Sequence, residues 1–170
     1  MKTAIVCVSV SHGNTRRVAD AMAEELDADL FDPQQTDVTA LHDYDLIGFG
    51  SGIFNMRFHP VLQDFVQRLP AANGKAAFVF ATRGGPGELP FWPYMRRMSG
   101  VLEHKGYDVV GMFSCRGFDT WWPLRFVGGI NKGRPNADDL VAARGFARDV
   151  HDGVAAHSTR PKSGNEPGTA

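Results

Sequence analysis

The sequence predicts an α/β fold: a doubly wound, five-stranded parallel sheet with helices on both faces. Three observations predict it. Apolar runs of strand length alternate with amphipathic runs of helical spacing along most of the chain. The strand-like runs are continuously apolar, the pattern of strands covered on both faces, rather than alternating in and out. Glycines, hydroxyl residues, asparagines and arginines gather in the loops after the strands, where such sheets bind their ligands.

Taken in order, the first strand is Thr3, Ala4, Ile5, Val6, Cys7 and Val8, and the first helix carries Val18, Ala19, Met22, Ala23 and Leu26 on one face. A weak second strand covers 28–31, followed by a polar, turn-rich stretch to 43. The third strand spans 44–50 and runs into a loop over 51–58. A helix over 59–69 follows, with Leu62, Phe65, Val66 and Leu69 inward. The fourth strand, 75–81, leads into the glycine-rich loop 82–87, and a helix over 91–103 presents Phe91, Met95, Met98 and Leu102. The fifth strand covers 107–115. An irregular segment, 116–135, holds adjacent tryptophans Trp121 and Trp122, and Asn136 or Asp138 then caps a last helix with Leu140, Val141, Ala147 and Val150. With 170 residues, 43% hydrophobic, the chain fills one core rather than two. Residues 1–154 are expected to form the domain and 155–170 a disordered tail rich in polar residues, Pro and Gly.

Composition narrows the function. A net charge of −1 argues against a nucleic-acid binder, which needs a basic excess on one face. No apolar run has the length of a bilayer span, and Met1-Lys2-Thr3 leads straight into a strand, so a cytoplasmic protein is expected. The two cysteines, Cys7 and Cys115, and the six scattered histidines have neither metal-ligand spacing nor the density of a disulfide framework. No Ser/His/Asp order or carboxylate pair points to a hydrolase. A magnesium-binding regulatory module of the same topology needs acids after the first strand, and 8–15 contains none.

The stretch Val8-Ser9-Val10-Ser11-His12-Gly13-Asn14-Thr15 is where strand becomes helix through a polar turn. Such a turn sets hydroxyls, a glycine and unpaired backbone N–H groups at a helix N-terminus, whose partial positive charge favours a phosphate. An ordinary helix start capped by Asn14 or Thr15 uses the same residues.

Ser-His-Gly-Asn-Thr at 11–15 resembles the phosphate-binding fingerprint of the flavodoxin family, commonly Ser-x-Thr-Gly-Asn-Thr. A second similarity, Gly117-Phe118-Asp119-Thr120 followed by Gly128-Gly129-Ile130-Asn131-Lys132-Gly133-Arg134-Pro135-Asn136, points to small prokaryotic flavodoxin-like proteins. The resemblance implies a strand order of 2-1-3-4-5 and a bound FMN at the switch point. It implies that Gly13, Asn14 and Thr15 hold the FMN phosphate. His12 departs from the usual threonine and Val10 from the first serine, leaving Ser9 and Ser11 to supply hydroxyls. By the same resemblance the loop with Ile53, Phe54, Asn55, Met56 and Phe58 encloses the flavin ring, with Phe54 or Phe58 over one face. The loop with Thr82, Arg83, Gly84, Gly85 and Gly87 takes the ring's pyrimidine edge, while the flavin itself supplies the redox chemistry.

Familiar members of the family are acidic around the exposed flavin edge. Here Arg57, Arg83, Arg116, Arg125, Lys132 and Arg134 lie in or beside the predicted loops, against Glu88 and Asp119. Such a rim favours an acidic redox partner or an anionic reductant such as NAD(P)H. The function expected is an FMN-binding electron carrier, monomeric or weakly dimeric. The alternative is an FMN-dependent NAD(P)H:acceptor (quinone-type) oxidoreductase, with the segment 116–135 enclosing a substrate.

Overall fold

The computed structural model describes residues 1–85, 93–120 and 129–158. Five parallel strands carry the sheet: β1 (Thr3–Val8), β2 (Asp29–Phe31), β3 (Leu46–Phe54), β5 (Ala76–Arg83) and β6 (Asp108–Arg116), with a two-residue β4 (Arg57–Phe58) appended. Their order is β2-β1-β3-β5-β6, with β4 pairing antiparallel to β3 off that path. Counting the parallel strands alone, this is the 2-1-3-4-5 order that the resemblance implied. The helices are α1 (Asn14–Leu26), α2 (Pro60–Arg68), α3 (Tyr94–His104) and α4 (Ala137–Ser158).

Side-chain alternation along the central strands divides the core between the two faces. On one, Val6, Ile47, Phe49, Val79 and Ala81 meet Leu62, Phe65 and Val66 of α2 and Met95, Met98 and Leu102 of α3. On the other, Ile5, Leu46, Phe78 and Phe80 meet Val18 and Met22 of α1 and Ala143, Ala147 and Val150 of α4. Burial on both faces is why these strands read as unbroken apolar runs.

Gly48 and Gly50 show how tightly β3 and β5 fit. They pair with Phe78 and Phe80, and a Cβ on either glycine would fall 2.4 Å or 2.1 Å from the partner's ring. The small residues make room for the large ones across the ladder.

Four expectations change. The run 51–58 is not a simple loop: β3 continues to Phe54 and folds back through Asn55 and Met56, at φ 48° and 59°, into β4. Two consecutive left-handed residues make the two-residue hairpin turn whose twist suits the flanking strands. The last strand departs from continuous burial, because β6 is an edge strand with Val110 at 38% and Met112 at 48% exposure. The helix expected from 91 begins at Tyr94 among the described residues, and Phe91 lies outside them. Residues 155–158, assigned to the tail, continue α4, since Val154, Ala155 and Ala156 extend its helix-compatible run. Residues 159–170 lie outside the described residues, as do Gly87, Glu88, Trp121, Trp122 and Arg125.

Of the two caps proposed for the last helix, the structure selects Asn136. Its Oδ1 accepts the Asp139 N–H at 3.0 Å, and the Asp139 carboxylate accepts the Asn136 N–H at 2.9 Å, a reciprocal capping box.

Candidate functional site

Between β1 and α1 the chain turns through His12 and Gly13, at φ 52° and 67°. Gly13 precedes the helix without any side-chain cap, so neither Asn14 nor Thr15 plays that part. Ser9 reaches over instead, its Oγ accepting the Arg16 N–H at 3.1 Å. Asn14 N–H makes only a 3.4 Å bond to the Ser11 carbonyl, and the N–H groups of His12, Gly13 and Thr15 donate to no described residue. A Cβ on Gly13 would meet nothing within 4 Å. The loop thus presents open donors at the positive end of a thirteen-residue helix, the chemistry a phosphate needs.

Beside this loop, beyond the carboxyl ends of β3 and β5, lies a cleft of about 350 Å³. It brings together ten of the predicted site residues: Ser11, Asn14, Ile53, Phe54, Asn55, Met56, Thr82, Arg83, Gly84 and Gly85. Ser9 and Gly13 line a neighbouring hollow of about 580 Å³ on the β2 side. His12, Thr15 and Phe58 line neither cavity. Phe58 is 2% exposed and belongs to the core, whereas Phe54 is 37% exposed with its ring edge-on to His59 at 5.5 Å. Of the two phenylalanines, only Phe54 faces the cleft. A larger depression of about 1170 Å³ lies among Tyr44, Lys75 and Asp108, at the amino ends of the strands, far from these loops.

Thr15 is turned inward. Its Oγ1 lies 2.7 Å from Thr82 Oγ1, and the two residues are 2% and 4% exposed, so this bond ties the first loop to the end of β5. His12 shares a 2.8 Å hydrogen bond with Thr120 Oγ1 and stacks at a tilt on Phe118, with ring centroids 4.6 Å apart.

Gly52, which the resemblance also puts in the ring loop, lines the cleft, and the structure adds Tyr94, Gly117, Phe118, Asp119 and Ile130. Four of these come from the loop after β6, within the 116–135 segment expected at the ligand end of the sheet, although no residue of it was singled out for the cofactor. That loop closes on itself through antiparallel bonds between Asp119 and Ile130, of 3.1 and 2.8 Å. It is pinned to the turn before α1 by Asn14 Nδ2 donating to the Phe118 carbonyl at 2.7 Å. It is pinned to the 82–85 loop by Asn131 Nδ2 donating to the Gly84 carbonyl at 2.7 Å. Close approach explains two glycines: a Cβ on Gly117 would lie 2.8 Å from Asn14 Nδ2, and one on Gly84 only 1.9 Å from the Asp119 carboxylate.

The rim is basic but not uniformly free. Arg57, Arg116 and Lys132 are exposed, and Arg83 donates to the Gly85 carbonyl at 3.0 Å. Arg134 is taken by Asp139 at the start of α4. Burial pushes the Cys7 and Cys115 thiols up to about 12, which makes both poor nucleophiles at neutral pH. Among the described residues no group of His, Cys, Asp and Glu has the arrangement of a metal site, and no helix is long and apolar enough to cross a membrane.

Comparison with known proteins places this geometry. A solved flavodoxin from the domain Archaea superposes with a TM-score of 0.67 at 20% identity, covering 91% of this chain and 99% of that one. The oxidised Flavodoxin 2 from Bacillus cereus gives 0.67 at 22% identity, covering 90% and 99%. The rubredoxin oxygen:oxidoreductase of Desulfovibrio gigas gives 0.71 at 15% identity, covering 94% of this chain but 37% of that one. These likenesses show the fold. In sequence, an uncharacterized protein of Methanocaldococcus jannaschii is 36% identical over 152 residues, 88% of this chain and 98% of the relative. A family model described as a flavodoxin domain matches residues 5–113, which include the turn before α1 and all the parallel strands but the start of the first and the end of the last, and the chain therefore belongs to the flavodoxin-domain family.

Proposed function

We propose that the protein is an FMN-binding electron carrier. One observation carries the reading: open N–H groups at the start of α1 stand beside a cleft of about 350 Å³ beyond the carboxyl ends of the strands. Backbone N–H groups of His12, Gly13 and Thr15, with Ser11 and Asn14, would hold the phosphate. Ile53, Phe54, Asn55 and Met56 would form one wall around the ring, with Phe54 over a face. Thr82, Arg83, Gly84 and Gly85 would line the opposite edge. Bound there, a flavin supplies exchange of one or two electrons, and the protein's part is to bind, orient and tune it. The exposed cations Arg57, Arg116 and Lys132 favour an acidic partner protein or an anionic reductant.

The test is flavin retention. Purified protein is mixed with excess FMN, unbound flavin is removed, and the visible spectrum is recorded for the wild type, Gly13→Asn and Gly13→Asp. Both side chains tolerate the left-handed backbone of Gly13, but only aspartate puts a negative charge into the cradle. Retention in the wild type and Gly13→Asn with loss in Gly13→Asp is the expected result. A wild type that keeps no flavin overturns the reading. Direct reduction by NAD(P)H with steady-state turnover of a quinone would identify the oxidoreductase instead.

A further inference from the structure

Between α2 and α3, against the Asn55–Met56 turn, is a groove of about 170 Å³ that the cofactor cleft does not absorb. Its floor is apolar, formed by Phe58, Val66 and Met98, each 5% exposed or less, with Val101 in the wall. Pockets for drug-sized ligands run to about 300–1,000 Å³, so this groove suits a single large apolar side chain. Arg57 and Arg97 stand exposed at the rim, and among the described residues no carboxylate lines the groove. Among the described residues neither guanidinium is paired with an acid. Met56 and Tyr94 line both this groove and the cofactor cleft, so whatever fills the groove sits against the wall of the cleft.

Two cations with no acid partner among the described residues, beside an apolar slot, select an occupant with carboxylates flanking a large apolar side chain. The chain's own 159–170 segment offers none, since it contains no Val, Ile, Leu, Met, Phe, Tyr or Trp. We propose that the α2–α3 groove is the docking site of an acidic electron-transfer partner, which seats one apolar side chain between Val66, Met98 and Val101 and sets its carboxylates against Arg57 and Arg97. The nature of the partner rests on the carrier reading; its position rests on the groove. Docking here brings the partner's redox centre to the Met56 side of the cleft.

Two haem proteins serve as probes: cytochrome b5, which is acidic, and cytochrome c, which is basic. In each, the haem iron passes from ferric to ferrous by accepting one electron from the reduced flavin-loaded protein. Stopped-flow rates are measured at low and high salt, and binding of cytochrome b5 is followed by NMR titration with and without flavin. Cytochrome b5 is expected to react faster than cytochrome c at low salt and to slow as salt rises. Arg97→Glu is expected to lower its rate and its binding about tenfold. Val101→Trp, which fills the slot without a charge change, is expected to do the same. Both variants should keep the wild-type melting temperature and FMN affinity. Preference for cytochrome c, or cytochrome b5 binding that ignores both substitutions, overturns the proposal. So does a wild-type dimer that Val101→Trp dissociates, because a second copy then fills the groove. Failure to retain flavin would sink the carrier reading, while the flavin-free titration would still decide the docking site.

Discussion

Asn14 Nδ2 donates a 2.7 Å hydrogen bond to the carbonyl of Phe118, a residue 104 positions away. Asn14 is the first residue of α1 and only 7% exposed, so one side chain holds the phosphate loop and the loop after β6 in register. Asn14 also lines the cleft. The cleft is therefore assembled by this contact, not merely lined by it.

Replacing Asn14 with alanine should destabilise the protein by about 1–3 kcal/mol, because the Phe118 carbonyl loses its donor in a half-buried site. FMN affinity should fall with it, as the far wall of the cleft is released. Denaturant titration and flavin titration check the two effects. An unchanged midpoint would show that the bond contributes nothing.

The Thr15–Thr82 pair separates structure from binding. Thr15→Val leaves the Thr82 hydroxyl buried without its partner, at a cost of about 1–3 kcal/mol, and Thr82→Val does the converse. The double variant removes both hydroxyls and should recover much of that loss. If Thr15 acts on flavin only through its N–H, FMN affinity recovers in the double variant as well. A double-mutant cycle on stability, run beside FMN titrations, measures both outcomes.

Gly50→Ala should be among the most damaging methyl additions in the chain. The new Cβ would stand 2.1 Å from the Phe80 ring, which is fully buried and cannot retreat. Overpacking of this kind costs about 1–3 kcal/mol or more. Adding Phe80→Leu should restore part of the stability, and thermal melts of the single and double variants give the answer.

Alkaline pH should weaken the fold through its thiols. Burial raises Cys7 and Cys115 from 9.0 to about 12, so the folded state holds its protons more tightly than the unfolded chain. The neutral-thiol contribution is complete below pH 9 and is lost progressively as pH rises towards 12. Melting temperatures across that window should fall less steeply in Cys115→Ala. Reaction of either thiol with an alkylating reagent at pH 8 should be slow until the protein unfolds.

The strand-helix alternation was legible because apolar runs and helical spacing are local signals, and strands buried on both faces leave an unmistakable continuous run. The polar turn between β1 and α1 was legible for the same reason: Ser11 to Thr15 are consecutive residues, and the structure turns the chain through His12 and Gly13 there. The hairpin at Asn55 and Met56 was missed, since the turn lacks the glycine that usually marks two left-handed positions in succession. Phe54 and Phe58 looked equivalent in sequence. The hairpin separates them, sending one to the cleft and the other to the core.

What the sequence determined by itself was therefore the order of elements, the two-faced burial of the central strands and the cradle at the start of α1. Each depends on neighbours along the chain. What only the tertiary structure decided was the company this cradle keeps: Phe118, Asp119 and Ile130 across the cleft, Thr82 against Thr15, and the groove that Arg97 shares with Arg57. Those contacts join residues tens of positions apart, and their geometry is set by sheet order and loop closure, for which no local spacing carries a signal.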